Sequence, residues 1–241
     1  QFPTASLAFT GTLIFEEAPP DPQMHVSLIP YLMGEVSKDH LAGEDSEWSG
    51  DGGLDANVSL SSNLTLDLTV NPDYSQVEVD EQMTNLDRFE LFYPEKRKFF
   101  LENKDLFTGY GKENIRPFFS RRIGLTSPVH AGARLSGKLN EDMRIGLMNM
   151  QTGSRGDMPA ANYTVATMQH QVFSRSNVGA FFINKQLTVP TGKERFEDDN
   201  RYNRVFGVDY NLASANNRWN GKAFYHRSVT PDGLSNGQAA S

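Results

Sequence analysis

The sequence contains no cysteine among its 241 residues, which excludes disulfide bonds, thiolate metal sites and a cysteine nucleophile. It also lacks a long apolar run. Its mean hydropathy is -0.51, and no window approaches the roughly 20 apolar residues that a transmembrane helix needs. No signal peptide is visible at Gln1, so we expect the numbering to start at a mature end or inside a longer chain.

An excess of basic residues is missing as well. The formal net charge is -7, and the lysines and arginines are interleaved with acids rather than gathered into a stripe. A nucleic-acid-binding surface needs clustered positive charge. We therefore expect no nucleic-acid partner.

The sequence does contain many short stretches in which apolar and polar residues alternate. In residues 53–60, for example, Leu54 and Ala56 fall on one side and Asp55 and Asn57 on the other. A period of two predicts half-buried strands. The alternating stretches that predict strands are residues 5–15, 26–33, 53–60, 63–70, 129–139, 143–150, 162–172, 177–187, 204–212 and 218–227.

The connections between these strands alternate in length. Short polar turns are predicted at 61–63, 140–142, 174–177 and 214–217, and longer connections at 35–52, 71–128, 152–161 and 188–201. A soluble sheet has no need to keep one rim tight and the other long. An outer-membrane barrel does, because its short turns face the periplasm and its long loops face outside. The alternation therefore favours an all-β fold, an antiparallel outer-membrane-type β-barrel, over a soluble antiparallel sandwich or barrel.

The end of the sequence does not resemble the last strand of a closed barrel. Residues 235–241, SNGQAAS, are a polar tail rather than an apolar strand with a terminal aromatic. We therefore predict that residues 1–241 form a single β-barrel domain that is an incomplete fragment.

One stretch breaks the alternation: VNPDYSQVEVDEQMTNLDRFELFYPEKRKFF, from Val70 to Phe100. It lies in a long insert, residues 71–128, predicted between the fourth and fifth strands. The insert is rich in aromatic residues, which need a place to bury, so we expect it to be folded. Residues 71–73 predict a turn. Residues 81–92 have helical spacing, and Pro94 would end such a helix.

Three segments of this region carry a family resemblance. VNPDYSQVEVD, NLDRFELFYPEKRKFFLENKDLF and FFSRRIG together closely resemble a family of Gram-negative outer-membrane β-barrels of unassigned function. The similarity runs from about Gly11 to beyond Val189 and is densest between Asn71 and Gly124. In that family the barrel commonly follows a module similar to the family-nine carbohydrate-binding modules, which this sequence does not contain. The resemblance implies a protein of the cell outer membrane.

In a wide barrel, an insert folded into the lumen acts as a plug or constriction. Its charges would then meet lumen charges such as Arg134, Lys138 and Arg144. Arg121 and Arg122 are natural partners for its carboxylates, because guanidinium groups bind carboxylates bidentately. The residues that we predict to form this plug and lumen charge network are Asp73, Glu78, Asp80, Arg88, Glu90, Glu95, Lys96, Arg97, Glu102, Arg121 and Arg122.

Catalysis is the sharper alternative for the same segment. A pair of carboxylates can hydrolyse glycosidic bonds, and the candidates are Glu78, Asp80, Glu90 and Glu95. Any acid-rich sequence offers such pairs, so we assign no catalytic residue. Calcium binding by Asp73, Glu78 and Asp80 is a third possibility, but no EF-hand spacing is present, and solvated carboxylates are the commoner explanation.

No other motif adds a cofactor or a metal. The five histidines show no pair at metal-ligand spacing, and His130 and His170 fall in predicted strands, where we expect them to face the lumen. No nucleotide-binding or serine-hydrolase motif occurs. We predict an outer-membrane channel, receptor or scaffold that contacts membrane lipid, with carbohydrate or another outer-membrane protein as a further partner. The alternatives are a carbohydrate-binding β-domain and a carboxylate-dependent hydrolase acting on polysaccharide.

Overall fold

The protein is a sheet of antiparallel strands that follow one another along the chain. The computed structural model describes residues 24–38, 46–74, 93–112, 115–188, 201–216, 218–231, 233 and 236–241. The strands are β1 Val26–Ser37, β2 Glu47–Ser61, β3 Leu64–Val70, β4 Val129–Lys138, β5 Met143–Thr152, β6 Ala160–Val172, β7 Ser176–Thr188, β8 Tyr202–Ala213, β9 Asn220–Val229 and β10 Gly237–Ala240. Each pairs with the next in sequence to give one 10-stranded sheet. The all-β prediction is confirmed.

The sheet is open over the part of the chain that the structure describes. Strands β1 and β10 form its two edges, and each pairs with one neighbour. These strands therefore do not close into a barrel, and the predicted barrel, of which this chain would be an incomplete fragment, stays a prediction. The predicted strand at 5–15 lies outside the described residues. The expected polar tail is wrong in part, because Gly237–Ala240 pairs with β9 as a short edge strand.

The two rims of the sheet differ as the sequence predicts. Short turns join β2 to β3, β4 to β5, β6 to β7 and β8 to β9, and longer connections join the remaining neighbours. We call these the short-turn rim and the long-loop rim. The insert joins β3 to β4. Its predicted place between the fourth and fifth strands counts the strand predicted at 5–15 as the first. Asn71, the first residue after β3, lies in the left-handed region at φ 49°, where asparagine is enriched, and this fits the predicted turn at residues 71–73.

The insert contributes two short helices and a 3₁₀ turn among the described residues. They are α1 Lys98–Leu101, α2 Lys104–Thr108 and the turn Ser120–Arg122. The helix predicted over 81–92 lies outside the described residues. None of the described helices has the length and apolar character needed to span a bilayer.

The register of the strands places alternate residues on opposite faces of the sheet. One row across the sheet contains Asp67, Arg134, Met148 and Val165. The neighbouring row contains Leu66, Leu135, Leu147 and Ala166. The insert packs against the first of these faces, which we call the inner face, and the opposite face is called the outer face.

The hydrophobic core lies between the insert and strands β4 to β6. Its buried members from the insert are Phe100, Leu106, Phe107, Phe118 and Ile123, and those from the sheet are Val129, Met148, Met150 and Val165. The prediction that the insert buries aromatic residues is thus confirmed for Phe100 and Phe107. The outer face is not covered by any described residue. Its apolar side chains are exposed, for example 46% for Leu147, 41% for Phe182 and 41% for Phe206.

Candidate functional site

The candidate site is the contact between the insert and the inner face. At its start, Glu95 and Arg97 form a buried bidentate pair, with Nε to Oε1 at 2.8 Å and Nη2 to Oε2 at 2.7 Å. The Ser120 hydroxyl donates to Glu95 Oε2 at 2.6 Å. Arg97 also donates to the carbonyl oxygens of Ser120 at 2.6 Å and Ile123 at 2.5 Å. This cluster ties the two ends of the described insert together.

The surroundings of Glu95 keep its carboxyl ionised. Burial alone would raise the pKa of Glu95, but hydrogen bonds from Arg97 and Ser120 and the charge of Arg97 outweigh burial and hold the pKa below its ordinary value. Hydrogen bonds to a carboxylate favour the charged form. A carboxyl held in this way is poorly suited to donate a proton as a general acid.

Two aromatic rings lie against the Arg97 guanidinium. Its central carbon lies 4.3 Å from the ring centre of Phe100 and 4.9 Å from that of Tyr74. Such stacking is favourable for a planar cation removed from water. Burial raises the pKa of Tyr74 to about 12, so its phenol is neutral at physiological pH.

The first anchor between the insert and the sheet is Arg134 on β4. Its Nη2 lies 2.6 Å from Asp67 Oδ2 on β3, and its Nη1 donates to the Glu102 carbonyl oxygen at 2.7 Å. The Glu102 carboxylate lies 3.6 Å from the same guanidinium. Asn57 on β2 also donates to Asp67, at 2.6 Å. Arg134 is only 1% exposed, so its charge depends on these partners.

A second contact links α2 to β5 near solvent. Arg144 Nη1 lies 2.6 Å from Asp105 Oδ2. Asp105 is more than half exposed, so water screens this pair and it contributes little to stability. The neighbouring hydrogen bond, from Asn103 Nδ2 to Ser136 Oγ at 3.2 Å, joins the same part of the insert to β4.

The far anchor holds the tip of the insert, residues 109–111, on β8 and β9. Asp209 Oδ2 accepts a hydrogen bond from the Gly111 amide at 2.8 Å and lies 3.1 Å from Lys222 Nζ. Asp209 Oδ1 lies 2.6 Å from His226 Nε2. Lys222 also donates to the Gly109 carbonyl oxygen at 2.9 Å. Asp209 is only 2% exposed, and its carboxylate binds Gly111, Lys222 and His226 together, so it fixes the tip in position.

Tyr110, in the middle of the tip, packs against β7. Its hydroxyl donates to the Ala180 carbonyl oxygen at 3.2 Å, and its ring centre lies 4.6 Å from that of Phe181. Burial raises the pKa of Tyr110 to about 12. Gly179 makes room for the ring, because a Cβ at this position would lie 2.8 Å from Tyr110 Cε1. The insert therefore reaches across the inner face from β4 to β9.

The structure brings together only part of the predicted charge network. Glu95, Arg97 and Glu102 take part in the contacts above, and the main-chain amide of Lys96 donates to Glu95 Oε1 at 3.1 Å. Asp73, Arg121 and Arg122 also lie in the described chain. The predicted residues that lie outside the described part are Glu78, Asp80, Arg88 and Glu90.

The structure gives partners for some of these charges. Glu95 pairs with Arg97, two residues along the chain. Arg121 donates to the Pro94 carbonyl oxygen at 3.5 Å, and the pairing of Arg121 and Arg122 with carboxylates of the insert stays a prediction. Of the lumen charges expected to meet the insert, Arg134 and Arg144 do so. His170 lies on the outer face, opposite to the expectation, because it is in register with Met143 and Val178.

Sequence reasoning named Arg134 and Arg144 but missed the other residues on the sheet that hold the insert. Asp67 stands in LTLDLTV and Asp209 in VFGVDYNL, each on the less apolar side of an alternating strand. A carboxylate in the middle of a strand is the signal that could have found them. His226 and Lys222 gave no comparable signal.

The described residues do not support the catalytic or the calcium-binding alternative. Of the four candidate carboxylates, Glu95 is the one in the described chain, and it is bound to Arg97 and Ser120. Among the residues that the structure describes, no group of three or more histidines, aspartates and glutamates is placed to hold a metal ion.

Comparison with protein families identifies one match. The model of a family described as a domain of unknown function, DUF5916, matches residues 22–146, just over half of the chain. The chain belongs to this DUF5916 family. No curated protein and no solved structure matches it.

The part of the chain that matches DUF5916 includes β1 to β4, the insert and the start of β5. It therefore contains the Glu95 cluster and the Arg134 anchor. The Asp209 anchor lies beyond the matched residues. In this DUF5916 chain, the insert and the strands beside it fall within the family match, and the far anchor is formed by later strands.

Proposed function

We propose that this chain forms part of the wall of an outer-membrane β-barrel, with the insert as a plug, and that it acts as a channel, receptor or scaffold. The observation that carries the proposal is the contrast between the two faces of the sheet. Buried ion pairs, polar anchors and the hydrophobic core lie on the inner face beneath the insert, whereas the outer face presents exposed apolar side chains. A soluble sandwich normally buries its apolar faces against each other.

The outer face is extensive enough to need an apolar environment. Its exposed apolar residues extend over most strands of the sheet. They include Leu28, Leu32 and Val36 on β1, Leu54 on β2, Leu68 and Val70 on β3, Leu147 on β5, Met168 on β6, Phe182 on β7, and Phe206 and Val208 on β8. Contiguous exposed apolar surface of this kind is uncommon on soluble monomers. The apolar band of a membrane barrel faces lipid in the same way.

The unequal rims support the same proposal. Short turns and long connections alternate along the described strands, which is the arrangement that separates the periplasmic and external ends of a barrel. In a bilayer, however, no strand edge can face lipid with unpaired backbone groups. The proposal therefore requires further strands to pair with the edges of β1 and β10.

The extent of the insert supports the proposed plug role. It contacts side chains or carbonyl groups of strands from β4, through Arg134, to β9, through Lys222. An element that crosses the inner face of a barrel wall narrows the lumen. We propose carbohydrate or another outer-membrane protein as the partner at the external end, by analogy with the family-nine carbohydrate-binding-like modules of the barrels that the sequence resembles.

Fractionation tests the membrane location. Cells that express the protein are broken, and membranes are washed with urea or carbonate and then extracted with detergent. We expect the protein in the outer-membrane fraction, released by detergent alone. Recovery in a wash without detergent would reject the barrel and favour a soluble carbohydrate-binding β-domain.

Conductance in planar bilayers tests the plug. The test variant lacks both anchors and combines Arg134→Met with Asp209→Ala. The matched control is Asp105→Ala, which breaks the exposed ion pair with Arg144. We expect a higher conductance or frequent transient openings for the double variant only. Deletion of residues 71–114 should give the largest conductance. The same conductance in all four proteins would contradict the plug.

A further inference from the structure

The outer face carries a patch of polar side chains on β5 to β8, next to the long-loop rim. We call it the amide patch. Two register rows make up the amide patch: Asn149, Thr164, Asn184 and Arg204 in one, and Gln151, Asn162, Gln186 and Tyr202 in the other. Amides make up five of its eight positions, none is acidic, and Arg204 carries its single formal charge. The patch is thus a hydrogen-bonding surface with a positive side.

Hydrogen bonds hold the side chains of the amide patch in an ordered array. Asn149 Nδ2 donates to Asn162 Oδ1 and to Thr164 Oγ1, both at 2.9 Å. Asn162 Nδ2 donates to Asn149 Oδ1 at 3.0 Å and to Gln151 Oε1 at 3.2 Å. Since each amide both donates and accepts, an ordered array of amides presents donors and acceptors at fixed spacing.

Arg204 gives the amide patch its charge. Its Nε donates to Asn184 Oδ1 at 3.1 Å, and its guanidinium carbon lies 4.2 Å from the ring centre of Tyr202. Within the described chain, its Nη groups have no acceptor. A guanidinium oriented by one hydrogen bond and one ring is well placed to bind a phosphate oxygen.

The amide patch ends abruptly at an apolar row. The next row toward the short-turn rim contains Leu147, Ala166, Phe182 and Phe206. Rows on the same face are about 7 Å apart along the strands, so polarity changes over the length of two residues on all four strands. A ligand that contacts both rows must itself change from polar to apolar over a similar distance. A lipid does so where its headgroup joins its acyl chains.

We infer that the amide patch binds the phosphorylated sugar headgroup of an outer-leaflet glycolipid, lipopolysaccharide, while its acyl chains lie on the adjoining apolar row. The inference rests on the proposed function, which places the long-loop rim outside the cell and therefore the amide patch in the outer leaflet. Sugar hydroxyl groups match amides that both donate and accept hydrogen bonds, and Arg204 matches a phosphate group. The absence of carboxylates among the eight positions avoids repulsion of that phosphate.

Purified protein in detergent tests the inference by its response to lipid. The readouts are the amount of lipopolysaccharide retained after purification and the shift in the unfolding temperature when lipopolysaccharide is added. Two variants change the amide patch, Arg204→Gln and the pair Asn149→Leu with Asn162→Leu. The control, Asn211→Leu, breaks an amide pair of similar geometry with Asn177 (2.8 Å) on the inner face.

We expect lipopolysaccharide to stabilise the unchanged protein and the control equally. Arg204→Gln should weaken binding by roughly tenfold or more, because a charge-assisted hydrogen bond is lost, and the double variant should weaken it as well. Phosphatidylglycerol, which has phosphate but no sugar array, should stabilise less. Deacylated lipopolysaccharide, which lacks the chains, should bind more weakly than the intact lipid.

Three results would overturn the inference. They are equal binding by all variants, equal stabilisation by phosphatidylglycerol, and full binding of the deacylated saccharide. Each can occur while the protein still fractionates with the outer membrane, and the proposed function would then stand without the glycolipid site. Recovery of the protein without detergent would overturn both the glycolipid site and the proposed function, and fractionation detects that outcome separately.

Discussion

Arg134 and Asp67 face each other in register across β4 and β3, and their Nη2 and Oδ2 atoms lie 2.6 Å apart beneath the insert. The same guanidinium donates to the Glu102 carbonyl oxygen. The pairing of two strands therefore sets the position at which the insert is held. Because Arg134 is buried, removal of either charged partner leaves an uncompensated charge.

The first prediction concerns this anchor. Arg134→Met should destabilise the protein by about 3–5 kcal/mol, since Asp67 is left buried without its cation and the Glu102 carbonyl oxygen loses its donor. The double variant Asp67→Asn with Arg134→Met should recover part of that loss, because no charge remains unpaired. Urea unfolding of the purified proteins measures the differences.

The matched control for the anchor is the solvent-exposed pair. Asp105→Ala breaks the contact with Arg144 at a similar distance, but it should change stability by about 1 kcal/mol or less because water screens it. Equal losses of stability for Arg134→Met and Asp105→Ala would show that the buried anchor stabilises the protein no more than the exposed pair does.

The second prediction is a pH dependence from Glu95. Its pKa in the folded protein lies below the ordinary value of 4.5. The carboxylate therefore contributes stability that is fully present above that value and is lost as the pH falls through the lower folded pKa. Glu95→Gln should be less stable than the unchanged protein at neutral pH, and the difference should shrink as the pH is lowered. Urea midpoints over a pH series measure it.

Glu141→Gln, in the exposed turn between β4 and β5, is the control for that series. It removes an exposed carboxylate that has no buried partner among the described residues. The stability of Glu141→Gln should therefore stay close to that of the unchanged protein at every pH. A Glu95→Gln difference that is constant with pH would mean that the Arg97 and Ser120 contacts do not favour the ionised form.

The strands could be predicted from the sequence because period-two alternation reports burial of one face directly. Residues 64–70, for instance, alternate apolar and polar side chains, and β3 spans the same residues. The edge strand β10 could not be predicted in this way. Its residues are small and polar, and its four-residue pairing with β9 depends on backbone hydrogen bonds that any sequence can make.

The partners within the site were harder to predict than its location. The density of charges and aromatic residues in the insert indicated that it was folded, and Phe100 and Phe107 are buried. The pairing of Arg134 with Asp67, however, depends on the register between β3 and β4, which sequence spacing alone does not give. The contact of Gly111 with Asp209 joins residues 98 positions apart, and local pattern contains no information about it.

The third prediction concerns the tip of the insert. Asp209→Ala removes the acceptor of the Gly111 amide and leaves Lys222 and His226 without their shared carboxylate. Local opening at the tip should become easier, and hydrogen exchange at the Gly111 amide should be faster by roughly tenfold or more. Mass spectrometry of exchanged peptides measures this rate. Amides in β5 should exchange as before, and a uniform rise over all strands would instead indicate global destabilisation.

The fourth prediction uses a pair of glycines with different surroundings. Gly179→Ala places a Cβ 2.8 Å from the ring of Tyr110, so the ring must move and its contact with Phe181 is lost. We expect destabilisation of about 1–3 kcal/mol, typical of an overpacked site. Gly34→Ala is the control, since a Cβ there meets no atom within 4 Å. A similar effect of both substitutions would reject the close packing of Tyr110 on β7.

The last prediction tests whether lipid contacts the outer face. The chain has 2 tryptophans, and both are exposed in the described structure, 80% for Trp48 near the long-loop rim of β2 and 73% for Trp219 in the turn between β8 and β9. Tryptophan is favoured at both boundaries of a bilayer. In vesicles that contain brominated lipids, both should therefore lose fluorescence, with the strongest quenching by bromines close to the headgroups. The variants Trp48→Phe and Trp219→Phe separate the two signals. If neither residue is quenched in vesicles that retain the protein, the outer face does not meet lipid, because one tryptophan lies near each rim of that face.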